Sequence, residues 1–159
     1  MKKLIPVILC AAALFSLAAC GRERVLWKDI STGDFTEFYY TVSSSTYPPE
    51  FQRCRFYSEN GEVYFCHETR EGDHWPLTES DVTVSGTMKL SDEQASAFFA
   101  SLEGGTVKAR SESAESGDSG PWLYLYWKGD KAKYQEFSFA DYGAQSRFVE
   151  LCHELKELC

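Results

Sequence analysis

The chain has 159 residues, with 16 Lys plus Arg against 24 Asp plus Glu, a net charge of −8 and 15% aromatic residues. An acidic balance of this size excludes nucleic acid as a partner and argues against flat adsorption to an anionic membrane face. The length suits one domain around one core, and the aromatic content suits a β-rich domain, because Tyr, Phe and Trp pack well on half-buried pleated surfaces.

Lys2 and Lys3 precede residues 4–19, a run of 16 residues without a charged side chain, which is the layout of an export signal. The run falls short of the roughly 20 apolar residues that a membrane-spanning helix needs, and Pro6 disturbs its start. It ends in Leu17, Ala18, Ala19 and Cys20. These four positions resemble the lipobox of bacterial lipoproteins, in which small residues ahead of the cysteine fit the chain into a lipoprotein signal peptidase. The resemblance implies that residues 1–19 are removed as a signal peptide and that Cys20 carries a diacylglyceryl and palmitate-type anchor as the first residue of the mature chain. It makes the membrane a partner through the lipid on Cys20. It puts the domain on the extracytoplasmic side of the cell membrane or outer membrane. Loss of residues 1–19 takes two lysines and no acidic residue, so the mature chain has 140 residues and a net charge of −10.

Residues 20–34 read as the lipidated cysteine and a short lead-in, which keeps the domain close to the bilayer. Residues 35–159 read as a single domain. Residues 35–43 form the first strand, and Pro48 and Pro49 mark the loop after it. Residues 52–58 and 62–69 flank Glu59-Asn60-Gly61, and Asn-Gly between aromatic-rich runs is a strong hairpin signal. A polar loop, 71–79, carries His74, Trp75 and Pro76. Val82, Val84, Met88 and Leu90 then alternate as a strand with one solvated face.

Ser91 and Gln94 form a capping box ahead of a helix with an apolar stripe of Ala95, Phe98, Phe99 and Leu102, and Gly104-Gly105 supplies its stop. Residues 106–110 make a short strand and 111–120 a polar, mobile loop. Residues 122–127 and 131–139 form a second hairpin about Gly129-Asp130, with Trp122, Tyr124 and Tyr126 on one side and Leu123, Leu125 and Trp127 on the other. Bulk on both sides predicts a central place in the sheet. Phe148, Leu151, Cys152, Leu155, Leu158 and Cys159 recur at helical spacing from about 143 to 158. The expected fold is α+β, one curved antiparallel sheet of about six or seven strands with two helices packed on one face.

Four cysteines follow Cys20, and an exported chain with an even remainder invites disulfides. A two-residue turn at Asn60-Gly61 sends Cys54 and Cys66 to opposite faces, whereas a three-residue loop with a bulge sets them opposite one another. The leading expectation is the Cys54–Cys66 bridge, followed by buried free thiols and then a bridge from Cys152 to the hairpin. On an intact helix Cys152 and Cys159 stand about 10 Å apart, too far to bond. No cysteine pair has the CxxC spacing of a zinc site, so neither a metal nor another cofactor is expected.

Gly117-Asp118-Ser119-Gly120-Pro121 resembles the nucleophile segment of trypsin-like serine proteases, but the match covers five residues and lies in a Ser/Glu/Gly-rich loop. His67-Glu68 and His153-Glu154 begin like a zincin motif and lack its second histidine. The chain is therefore expected not to be an enzyme. The layout resembles small cell-envelope lipoproteins, a group that carries no assigned activity. The expectation is a non-catalytic module that binds an envelope protein or an extracellular ligand, with Trp75, Trp122, Tyr124 and Tyr126 as the candidate ligand surface. The alternative is a small envelope hydrolase using Ser119 and His74.

Overall fold

The computed structural model describes residues 23–109, 119–127 and 135–159, the stretch 119–127 through its backbone and Leu125. The signal run with Leu17, Ala18, Ala19 and Cys20, the loop 111–118 and the turn at Gly129-Asp130 lie outside the described residues.

Eight strands form in chain order: β1 (Arg24–Val25), β2 (Phe35–Ser44), β3 (Glu50–Glu59), β4 (Glu62–Arg70), β5 (Val82–Lys89), β6 (Thr106–Ala109), β7 (Ser119–Trp127) and β8 (Gln135–Ser138). Among the described residues two helices are interleaved with them, α1 (Asp92–Leu102) after β5 and α2 (Tyr142–Leu158) after β8. Among the described residues these strands pair antiparallel, in the order β1-β6-β8-β7-β2-β3-β4-β5.

This overturns the expected single sheet of six or seven strands. Pairing divides into a three-stranded section, β1-β6-β8, and a four-stranded section, β2-β3-β4-β5. Strand β7 runs along the whole of β2, and among the described residues it meets β8 at Tyr124 opposite Glu136 and at Leu125 opposite Gln135. Among the described residues those two pairs are the whole join between the two sections, which is why the sections stand as separate sheets.

The lead-in is part of the packed domain. Leu26 is 1% exposed and Ile30 is 3% exposed, Leu26 N–H donates to the Gly105 carbonyl (2.8 Å), and Trp27 Nε1 donates to the Phe99 carbonyl (3.0 Å). Between β3 and β4 the chain turns at Asn60 and Gly61, with φ of +54° and +84°. Two left-handed residues in succession give the turn whose twist matches the flanking strands, and Asn-Gly tolerates it best.

Helix α1 starts as the capping box dictates. Gln94 N–H donates to Ser91 Oγ (3.2 Å) and Ser91 N–H to Gln94 Oε1 (2.8 Å). Asp141 caps α2 by accepting from Ala144 N–H (2.8 Å). Both helices lie on the same side of the four-stranded section, where their phenylalanines meet those of the strands. Phe98 stacks flat on Phe56, with centroids 4.1 Å apart and planes at 7°. It also meets Phe38 at 5.9 Å, and Phe148 meets Phe38 at 5.4 Å. Gly105 approaches Phe137 so closely that a Cβ there would overlap the ring, which is how β6 tucks against β8.

Candidate functional site: the helix-free face of the sheet

Strand alternation leaves a second face on β2 to β5 that neither helix covers, and the register arranges it in rows. Glu37, Tyr57, Tyr64 and Lys89 stand in one row, and Tyr39, Arg55, Cys66 and Thr87 in the next. Thr41, Arg53, Glu68 and Ser85 follow, then Ser43, Phe51, Arg70 and Val82.

Within these rows guanidinium groups and rings alternate as a continuous ladder. Arg70 lies 4.3 Å from the Phe51 centroid, and Arg53 lies 4.9 Å from Phe51 and 5.4 Å from Tyr39. Arg55 lies 5.7 Å from Tyr39 and 4.5 Å from Tyr57, and Tyr57 stacks on Tyr64 at 5.2 Å. Each guanidinium over a ring face gains electrostatic attraction of about 0.5–1 kcal/mol at exposed sites and more when desolvated.

Carboxylates hold the arginines in place. Glu68 Oε1 accepts from Arg70 Nη2 (2.6 Å) and Nε (3.1 Å) and is 3.8 Å from Arg53 Nη1. Arg53 Nε donates to Thr41 Oγ1 (3.1 Å). Glu37 pairs with Arg55 and accepts from the Tyr39 hydroxyl (2.9 Å). Arg70 is the most enclosed of the three arginines, because the loop after β4 folds over it. Its Nη1 donates to the Leu77 carbonyl (3.3 Å), and Leu77 is buried.

Burial and the neighbouring Glu37 charge push the Tyr39 hydroxyl up to about 12, an effect that Arg55 partly offsets. A raised phenol pKa means that the neutral form is favoured in the folded state. Its contribution to stability is complete below the ordinary tyrosine range and is lost as pH rises from about 10 through 12. Titration of tyrosinate absorbance is expected to show one phenol ionising about two units late, and Tyr39→Phe to remove that late step. An unchanged late step in Tyr39→Phe would assign it to another tyrosine.

The sequence-predicted residues fall as follows. Trp75 is half-buried on the loop between β4 and β5, and its bond to Pro76 is cis. Trp122, Tyr124 and Tyr126 pair through the backbone with Thr41, Tyr39 and Glu37, in the rows of the ladder. Their side chains lie outside the described residues. Ser119 pairs with Ser44 at the start of β7, and its side chain is likewise outside them. His74 Nε2 lies 3.3 Å from Asp81 Oδ1. The Asp81 carboxyl is held below its usual range first by the Thr78 backbone N–H and then by the Thr78 hydroxyl, with His74 adding less. That pair braces its own loop.

The Cys54–Cys66 bridge is corrected by the register. Glu59 pairs with Glu62, so Cys54 stands opposite His67 and Cys66 opposite Arg55. The two-residue turn thus sends the sulfurs to opposite faces of the sheet, and both are free thiols. Helix α2 stays intact to Leu158, so Cys152 and Cys159 are not joined either. Among the described residues no group of three His, Cys, Asp or Glu side chains is placed to hold a metal.

Two shallow clefts flank the hairpin turn and α1, of about 480 Å³ and about 390 Å³, sharing Gly61, Val63 and Phe99. The smaller one contains the Glu62–Lys89 ion pair and Asp92, and neither contains a sequence-predicted site residue. Comparison with protein-family models, with curated proteins and with solved structures finds no match to this chain.

The ladder is the feature that sequence reasoning missed, although half of its signal was present. Arg53, Arg55 and Tyr57 alternate along β3, as Tyr64, Cys66, Glu68 and Arg70 do along β4. Only the register, which sets Arg55 beside Tyr39 and Phe51 beside Arg70, turns two alternating strings into one surface.

Proposed function

We propose that the chain is a non-catalytic envelope lipoprotein, held at the membrane by a lipid on Cys20, whose domain acts as a binding module through the helix-free face. The observation that carries the binding half is the ladder of Arg53, Arg55 and Arg70 with Phe51, Tyr39, Tyr57 and Tyr64. Tyr and Arg are the residues that dominate protein–protein contacts, since they bring large area with few rotors and fixed donor geometry. Fixing them beforehand by stacking and by Glu37 and Glu68 lowers the ordering cost of binding.

Charge leaves room for an acidic protein partner. Arg53, Arg55, Arg70 and Lys89 balance Glu37, Glu59, Glu62 and Glu68 on this face, whereas the whole chain is at −8. An acidic surface is therefore repelled less here than by the chain as a whole.

A photo-crosslinking residue placed at Tyr57 or Tyr64 in living cells tests this. Both positions are expected to yield the same discrete protein adduct, and Tyr142 on α2, which is 82% exposed, is not. Adding Arg53→Glu and Arg55→Glu is expected to abolish the adduct while circular dichroism stays unchanged. Equal adducts from Tyr142, or adducts that survive the charge reversal, would overturn the reading.

A further inference from the structure

Helix α2 crosses β3 in a fixed stagger. Phe148 packs on Phe56 at 5.7 Å and on Tyr40 at 5.4 Å, and two turns later Lys156 Nζ donates to Gln52 Oε1 (3.4 Å). Phe56, Cys54 and Gln52 are alternate residues on the helix-facing side of β3. Phe148, Cys152 and Lys156 recur every fourth residue along α2. Four residues of helix rise about 6 Å and two residues of strand about 6.6 Å, so the two series stay in phase over this distance. The middle member of each is a cysteine. Cys54 and Cys152 are each 3% exposed, each bears on the ionisation of the other, and Tyr40 is the cross-strand neighbour of Cys54.

We propose that Cys54 and Cys152 are the disulfide-forming pair of the exported protein, joining β3 covalently to α2. The inference rests on the envelope reading only for its oxidant, an external disulfide of the kind that keeps exported thiols oxidised. Cys152 lowers the Cys54 thiol, while burial pushes the Cys152 thiol up, so Cys54 is the first to ionise. As folding brings α2 onto the sheet, the Cys54 thiolate attacks the external disulfide and releases one thiolate. Cys152 gives its proton to that thiolate, and its sulfur displaces the second one from Cys54. Two protons and two electrons pass from the pair to the external disulfide, which leaves as two thiols.

The bond would close a loop of 98 residues, and loops of that length restrict the unfolded chain most. Protein alkylated in intact cells and extracted in detergent is expected to carry two alkyl groups, against four when it is reduced before alkylation. Peptide mapping should join Cys54 to Cys152 and find Cys66 and Cys159 alkylated. Reduction is expected to lower Tm by on the order of 10 °C. The Cys66→Ala, Cys159→Ala double variant should behave in the same way, and the Cys54→Ala, Cys152→Ala double variant should not respond to reductant.

Oxidation of the purified reduced protein by glutathione disulfide separates the two readings. A bridge that reaches Cys66 or Cys159, or failure of the folded protein to close any bridge, would overturn the pairing. Closure of Cys54 with Cys152 in the purified protein together with four free thiols in cells would overturn the envelope placement and its oxidant instead.

Discussion

Phe98→Ala is expected to cost the domain about 3–5 kcal/mol, the range for deleting a buried aromatic ring. Phe98 is fully buried and meets four rings from three other elements. It stacks on Phe56 of β3 at 4.1 Å and meets Phe35 and Phe38 of β2 at 5.4 and 5.9 Å and Phe148 of α2 at 6.5 Å. Those neighbours are rigid and are themselves held by the sheet and by α2, so they cannot collapse into the space that alanine leaves. A domain of this size is stable by about 5–15 kcal/mol in all, so the variant should sit near its unfolding midpoint at physiological temperature. Urea unfolding with an unchanged m-value measures the loss. A cost below about 1 kcal/mol would mean that the phenylalanine cluster relaxes around the gap and does not hold the helices to the sheet.

Cys20→Ala is expected to move essentially the whole population from the membrane pellet to the soluble extracytoplasmic fraction and to abolish palmitate labelling. The proposed thioether to a diacylglyceryl group has no counterpart in alanine. Each buried methylene contributes about 0.8 kcal/mol, so a single acyl chain binds reversibly while two chains form a lasting anchor. Cys66→Ala, in β4, serves as the control that keeps both the label and the pellet. Label retained on the Cys20→Ala protein would place the lipid elsewhere and remove the basis for the envelope reading.

Local chemistry was the legible part of this fold. Asn60-Gly61 announces its hairpin because few other pairs accept two left-handed residues, and Ser91 with Gln94 announces the start of α1 because the box satisfies two backbone donors at once. The stripe through Phe148, Leu151, Cys152 and Leu155 likewise reads as a helix face, and those four side chains are buried. What stayed hidden depended on contacts between distant segments. Strand β1 has two residues, and only its pairing with β6 makes it a strand. The division of the sheet at β7 rests, among the described residues, on the two pairs Tyr124–Glu136 and Leu125–Gln135, which join segments distant from β2 in the chain. The turn decided between two registers that the sequence left open, and with it which cysteines could meet.

The early placement of β1 would limit how the domain can move if Cys20 carries the proposed lipid. Only residues 21–23 separate Cys20 from Arg24, whose strand is already fixed to Val107 of β6, and a stretch from Cys20 to Arg24 spans at most about 14 Å even when fully extended. That leash is no longer than the radius of gyration expected for a chain of this size, also about 14 Å. Held by the proposed lipid on Cys20, the molecule would pivot without rising clear of the headgroups, and its search for a partner would be a two-dimensional diffusion.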